Sequence, residues 1–333
     1  MLFLSGTLSF LIDATALAAS AAFAAWVAGA IYYDVGRATR WGRALAAAWL
    51  VGVVVLFILW QPAWQPALAL AAVGALFLLW WFRLKPRHDR EWDPAVAVLP
   101  RADRQGDAVT FENVRNFEYR SPTEFDAKYE ARAVRLANLR GADVIFFNWG
   151  SPWMSHPVLV FDFGPDGRVC FSIEVRYRKG QAYSVLRSLY RQQELFVLVA
   201  DERDVILRRT KSDRPQTAHL YRLNIPADEV RASFLDAVEA VNDLYARPRW
   251  YHGVCANCTT TFYRLPNSQR RWDWRVLANG RLDRALYEAG RLDRSLPFDD
   301  LRRAAYLTDV ANAAPADGFG DYIRRELEAR RGR

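Results

Sequence analysis

The chain has 333 residues, enough to bury a sizeable core in one or two domains, and a formal net charge of +8 from 45 Lys and Arg against 37 Asp and Glu. Three cysteines are too few for a disulfide framework and, with four histidines, make a poor basis for a zinc centre. The arginines gather beside apolar runs and in the C-terminal tail instead of forming a stripe interleaved with aromatics, so nucleic acid is not an expected partner and acidic lipid headgroups are.

Three apolar runs, 14–33, 44–60 and 67–82, are each close to the roughly 17–25 residues that a bilayer-spanning helix needs, so 1–84 is expected to be a membrane region of three helices. No Lys or Arg precedes the first run and two more follow it, which does not suit a cleaved signal peptide. Asp13 at its edge and Trp60, Trp64, Trp80 and Trp81 at run ends suit the membrane interface. Arg37, Arg40 and Arg43 after the first run, and Arg83, Lys85, Arg87 and Arg90 after the third, would by the positive-inside rule place both flanks and the following domain in the cytoplasm.

A Pro- and charge-rich linker is expected over 85–104, and a domain over 105–333. Its first strand is expected within 109–119; Ser121-Pro122-Thr123-Glu124 resembles a helix start or turn, and a mixed-charge segment occupies 129–140. A buried strand is expected over 142–149. Next, 156–163 and 168–177 flank Gly164-Pro165-Asp166-Gly167, a turn signal that predicts an antiparallel hairpin and brings His156 roughly opposite 174–176. A helical piece over 183–193, a strand over 194–200, a charged turn at Asp201-Glu202-Arg203-Asp204, a strand over 218–225 and an amphipathic helix from Pro226 to about 245 follow. The arginine-rich tail from 268 reads as helix and loop. It contains a ten-residue echo, Gly280-Arg281-Leu282-Asp283-Arg284 and Gly290-Arg291-Leu292-Asp293-Arg294, too short for a solenoid.

The chemistry centres on 250–262, Trp250-Tyr251-His252-Gly253-Val254-Cys255-Ala256-Asn257-Cys258-Thr259-Thr260-Thr261-Phe262. The pattern predicts a loop that opens a helix at Cys258, with a threonine capping its first turn and the thiol at the positive end of the helix dipole, a setting that favours thiolate. A thiol nucleophile needs a base within about 2.6–3.2 Å and a group orienting that base. His88 lies in the basic linker, His219 fits a strand residue with a satisfied hydrogen bond, and His252 shares the cysteine's own loop. His156, with Glu174 across the hairpin, is the candidate base, against the alternative of a structural strand histidine. Cys255-Ala256-Asn257-Cys258 is also formally a redox C-x-x-C, though no βαβ pattern precedes it.

Five motifs occur in order: Asn113-Val114-Arg115-Asn116-Phe117-x-Tyr119-Arg120; Trp149-Gly150 before Ser155-His156; Ser172-Ile173-Glu174-Val175-Arg176; Glu194-Leu195 with Asp201-Glu202-Arg203-Asp204-Val205-Ile206-x-Arg208; and Trp250-Tyr251 before Asn257-Cys258-Thr259-Thr260. Over roughly 92–325 the chain thus resembles the Lnb N-terminal periplasmic domain family, named for a lipoprotein intramolecular transacylase. That resemblance implies an α+β, permuted papain-like thiol fold, an antiparallel sheet packed with helices, with His156, Cys258 and Glu174 as catalytic residues. Asn257, Thr259, Trp149, Ser172, Arg176 and Tyr251 would shape the site. It further implies a bacterial inner-membrane protein with its soluble domain in the periplasm, against the charge count, and we side with the family. Cofactors are not expected, and the expected partner is a membrane lipid or lipid-modified protein whose acyl group passes through a thioester on Cys258. A thiol peptidase or amidase acting on cell-wall peptide, and a non-catalytic membrane scaffold, are the alternatives. The chain departs from the family at Ser155, commonly a small apolar residue there, and at Cys255, an extra thiol that would silence Cys258 as a strained disulfide in an oxidising compartment.

Overall fold

Uninterrupted apolar sequence forms three helices, α1 (Leu2–Ala30), α2 (Arg40–Leu59) and α3 (Trp64–Phe82), each long and apolar enough to cross a membrane. The computed structural model describes residues 2–121, 124–212, 215–263, 273–276 and 278–332. They divide into two units, Met1–His88 with Tyr183–Glu194, and Asp89–Ala182 with Leu195–Arg333.

In the first unit the helices start ahead of their apolar runs, because helices extend until something stops them. Thr39 accepts a hydrogen bond from the Gly42 N–H at 3.2 Å and so caps α2 four residues before the run expected to form it. Between α1 and α2 the backbone passes so close to itself that a Cβ on Gly36 would lie 2.2 Å from the Gly42 Cα. The segment 183–193, expected to be helical, forms one 3-10 turn at Arg187–Leu189. Its side chains are committed elsewhere: Tyr190 stacks on Tyr33 at 5.1 Å, and Gln192 and Trp81 each donate to the Asp34 carboxylate at 2.7 Å.

The second unit holds a mixed α+β structure. Its strands are β1 (Arg101–Gln105), β2 (Ala108–Arg115), β3 (Glu118–Tyr119), β4 (Phe125–Asp126), β5 (Tyr129–Arg135), β6 (Gly141–Asn148), β7 (Ser155–Asp162), β8 (Arg168–Arg176), β9 (Glu194–Ala200) and β10 (Thr217–Arg222). Eight of them form one sheet in the order β1-β2-β9-β8-β7-β6-β10, with β5 also on β2, while β3 and β4 pair with each other. Most of the pairs are antiparallel, with β2 and β9 parallel where Arg115 meets Ala200. The expected linker over 85–104 already contains a 3-10 turn at Pro94–Val96 and nearly all of β1. Pro122 and Thr123 of the expected helix start, and 268–272 of the tail, lie outside the described residues.

Helices cover both faces of the sheet. On one face α5 (Ala227–Ala246) inserts Phe234 among Phe111, Phe161, Phe163 and Phe171, ring centroids 4.9–6.1 Å away. On the other, α4 (Glu202–Thr210), α9 (Thr308–Ala313) and α10 (Phe319–Arg331) close over Val158, Val160 and Cys170. The shorter α6 (Cys258–Tyr263), α7 (Leu282–Glu288) and α8 (Phe298–Ala304) complete the chain. The four residues expected as a charged turn instead start α4: Asp201 accepts from the Arg203 N–H as its cap, and Glu202 and Asp204 sit in its first turn, where carboxylates favour a helix start. The two copies of the echo differ in conformation, Gly280 inside a 3-10 turn and Gly290 at φ 72 just beyond α7, so they are not a structural repeat.

Two of the motifs meet in a frame under this face. Arg115 donates to Asp204 from Nη2 at 2.6 Å and from Nε at 3.0 Å, the Phe117 N–H donates to it at 2.7 Å, and both side chains are buried. Removing one partner strands a buried charge. Asp204→Ala is expected to lower stability by about 3–5 kcal/mol in chemical denaturation, and the double change Arg115→Met with Asp204→Leu to restore most of it. An Asp204→Ala midpoint equal to wild type would remove this pair from its structural role.

Candidate functional site

Strand alternation puts His156 on the same face as Val158 and Val160, and Ser172 and Glu174 on the same face as Cys170. The β7–β8 register runs Asp162↔Arg168 to Val158↔Ser172, and two more residues place His156 opposite Glu174. His156 Nε2 is 2.7 Å from Ser172 Oγ and 3.2 Å from Glu174 Oε1. Ser172 Oγ donates to Glu174 Oε1 at 2.6 Å. A hydroxyl has one hydrogen, so Ser172 can only accept from His156, which puts a proton on Nε2 and leaves Nδ1 as the free basic nitrogen.

Cys258, which retains 8 % of its surface, lies near enough to His156 to help raise its imidazole. Its helix α6 packs on β7 and β8. The cap of this helix is Asn257, not one of the threonines: Asn257 Oδ1 accepts from the Thr259 and Thr260 N–H groups at 2.9 Å, and Thr260 Oγ1 accepts from the Asn257 N–H at 3.0 Å. This reciprocal box occupies two of the otherwise unpaired N–H groups of the helix's first turn. The Cys258 N–H has no acceptor among the described residues.

Two residues of the site carried no sequence signal strong enough to single them out. Arg209, on α4, pairs with the Glu174 carboxylate and lies over the Phe147 ring at 5.0 Å. The motif arginine quoted from the sequence, Arg208, is its neighbour. Asn279 donates from Nδ2 to Thr259 Oγ1 at 2.6 Å and lies 3.8 Å from Cys258 Sγ, while its Oδ1 accepts from the Ser155 N–H at 2.7 Å. Ser155 Oγ in turn donates to the Asn279 carbonyl at 2.6 Å, so Ser155 is held by Asn279. The next residue, Gly280, lies so close to 152–154 that a Cβ there would be 2.4 Å from the Pro152 carbonyl oxygen.

The charges oppose one another. Burial pushes the His156 imidazole down, but the charge of the Glu174 carboxylate, which also accepts from the ring, together with the nearby Cys258, outweighs both burial and the repulsion of Arg209, and His156 ends above its ordinary value of 6.5. Burial would raise Glu174; the charges of Arg209 and His156 instead hold it well below its ordinary 4.5.

The remaining expected residues fall at different distances from this centre. Ser172 is in it. Arg176 donates to the Val96 and Ala97 carbonyls and covers the Trp92 ring at 4.2 Å, so it organises the 92–97 segment. Tyr251 is buried and Trp149 exposed. His252 Nδ1 accepts from the Val254 and Cys255 N–H groups, which ties it into its own turn. His219 lies on β10 as expected, but its Nδ1 is buried without a hydrogen-bond partner, and burial beside the Arg302 charge pushes the ring down to about 4. All three thiols are free, Cys255 exposed and Cys170 buried. A cleft of about 340 Å³ lined in part by Cys255, Ala256 and Thr261 opens beside the loop.

Comparison with known proteins adds one result. No curated protein and no solved structure matches the chain. A family profile described as the Lnb N-terminal periplasmic domain matches residues 125–304, just over half of the chain, and takes in His156, Glu174, Arg209, Cys258 and Asn279. With three helices able to cross a membrane ahead of that match, the chain belongs to the Lnb N-terminal periplasmic domain family, as a membrane-associated member.

Proposed function

We propose that the protein is a membrane-anchored cysteine acyltransferase that carries an acyl group as a thioester on Cys258, in a papain-like arrangement whose order is permuted, with strand histidine before helix cysteine. The observation that carries this reading is the nearness of His156 to Cys258, with Glu174 and Ser172 on its Nε2. His156 Nδ1 takes the thiol proton, and the Glu174 charge stabilises the imidazolium. The thiolate attacks an ester or amide carbonyl, forming the C–S bond. The Cys258 N–H and Asn279 Nδ2 are the donors in reach of the resulting oxyanion. Collapse expels the alcohol or amine, which receives the proton from His156. An amine or water then attacks the thioester, His156 takes the incoming proton, and sulfur leaves as thiolate.

Because a membrane-anchored chain presents this domain near lipid, the acyl group of a lipoprotein or other membrane-held molecule is the proposed substrate, in the periplasm at the bacterial inner membrane. Incubation with a labelled membrane-held acyl ester, a lipoprotein in one arm and a phospholipid in the other, should leave a hydroxylamine-labile acyl group on wild-type protein in at least one arm, visible by mass spectrometry of the intact chain. Cys258→Ala should abolish it, and His156→Ala should slow its formation by about 10²–10⁴. Equal labelling in all three proteins would sink the thioester, and cleavage of soluble peptide without lipid would favour the peptidase alternative. A reporter fused after Arg90 should be active in its periplasmic form; the cytoplasmic form being active would return the orientation to the charge count.

The electrostatics gives a second test. Protonated His156 gains Glu174 on folding, so its contribution to stability is complete below 6.5 and fades as pH rises through the raised folded-state value. Glu174→Gln removes the main raising charge. The His156 titration midpoint, followed by NMR of labelled histidine, should fall below that of wild type, and an unchanged midpoint would show that the carboxylate does not govern the imidazole.

A further inference from the structure

Beyond Asn279 the chain enters a second polar feature. Arg281 and Arg284 at the start of α7 and Arg302 on α8 line a cleft of about 430 Å³, with Gly280 and Pro152 on the wall nearest Asn279. That volume lies in the range of small-molecule sites. The carboxylates around it leave the arginines undercompensated. Buried Asp283 accepts from the Tyr221 hydroxyl at 3.3 Å and the Arg284 N–H at 2.8 Å, and faces Arg302 Nε at 3.6 Å. Burial pushes its carboxyl above the ordinary range, against the Arg302 charge, and its single charge is shared among these partners. Asp299 meets Arg284 at 3.1 Å but is 74 % exposed, a pair that another anion can replace. Arg281 stacks on Trp153 at 4.8 Å, and among the described residues no carboxylate lies within 4.0 Å of it.

We infer that this cleft binds a phosphate group, and that it is the headgroup subsite of the thiol site, so the substrate is a phosphate-bearing acyl compound. The assignment to substrate rests on the thioester reading; phosphate binding itself does not. Three guanidiniums on two helices suit a tetrahedral anion with several oxygens, each able to take a fork of N–H donors, whereas a carboxylate has only two oxygens to share among them. The position agrees. Gly280 donates to the Trp153 carbonyl at 3.1 Å, and the residue before it is the one 3.8 Å from the Cys258 sulfur. Trp153 and Trp274, about half exposed and with ring centroids 6.5 Å apart, offer an apolar surface beside the cleft for the rest of an amphiphile.

The test is calorimetric titration of the full-length Cys258→Ala protein in dodecyl maltoside, with dodecyl phosphate in one arm and inorganic phosphate in the other. Saturable binding of dodecyl phosphate is expected, weakened about tenfold or more by Arg281→Ala with Arg284→Ala. Arg281→Lys, which keeps the charge and loses the fork, should recover only part of it. Inorganic phosphate binding as tightly, through the same arginines, would support phosphate recognition and assign the source to a soluble compound. Binding that ignores the double substitution in a protein with an unchanged unfolding midpoint, or no saturable binding in either arm, overturns the inference; should the double variant unfold, Arg281→Ala alone, at an exposed position, decides it on the same terms. With the sulfur absent, failure of the thioester chemistry leaves this result untouched. Conversely, normal acylation of wild-type Cys258 by a phosphate-free ester would sink the substrate assignment alone.

Discussion

One oxygen atom anchors the site. Glu174 Oε1 receives Arg209, Ser172 Oγ and His156 Nε2, all in a buried setting where an unpaired carboxylate would protonate instead of remaining charged. Arg209 makes the charge tolerable, and in doing so also opposes the charging of His156. The imidazole therefore answers to a balance: the nearer carboxylate wins over the guanidinium, while Ser172 keeps the proton on Nε2 and leaves Nδ1 as the basic nitrogen. Loss of the arginine would not simply strengthen the histidine, because the carboxylate would then lose the partner that keeps it ionised.

That balance requires α4 to lie at a fixed place over the sheet. The ion pair between Arg115 on β2 and Asp204 in the first turn of α4 sets where the helix begins, and five residues later the same helix delivers Arg209 to Glu174. Residues that look like chemistry in a motif, a buried arginine and an aspartate, are in this fold the frame for another arginine. On the far side α10 is tied in by Arg324, which pairs with both Asp143 on β6 and Glu202 on α4. Helix and sheet are thus joined on two sides of the polar network by charges that have little water to compete for them.

How much of this could be read from the sequence follows from how local each cause is. The hairpin was legible because its turn, Gly164 to Gly167, sets the register by itself, and Glu174 opposite His156 follows from counting. Helix α4 was misread as a turn although its signal was present: Asp201 followed by two further acids is a cap and a first turn, and the dense charge hid the short apolar stretch Val205 and Ile206 behind it. The capping residue of α6 lies at least two positions before the threonines expected to cap it, since Asn and Thr both cap helices and only the structure shows which side chain turns inward. The absence of a full helix over 183–193 is a tertiary effect. Tyr190 and Gln192 are drawn to Tyr33 and Asp34 about 160 residues earlier in the chain, which no local pattern encodes.

Asn279 is the furthest case from local legibility, and it bears most on the geometry. It stands 21 residues beyond Cys258 and 124 beyond Ser155, yet one amide bonds to Thr259 on the cysteine's helix and to the backbone before His156, while its carbonyl receives the Ser155 hydroxyl. The distance between the β7 strand and the α6 helix is therefore set by a side chain belonging to neither. Ser155 is paired through this contact by both its N–H and its hydroxyl, to a residue that no motif flagged. A thiol and an imidazole can be placed by strand and helix to within a few ångströms; the last part of their approach depends on what bridges the two elements, and here the bridge is one asparagine.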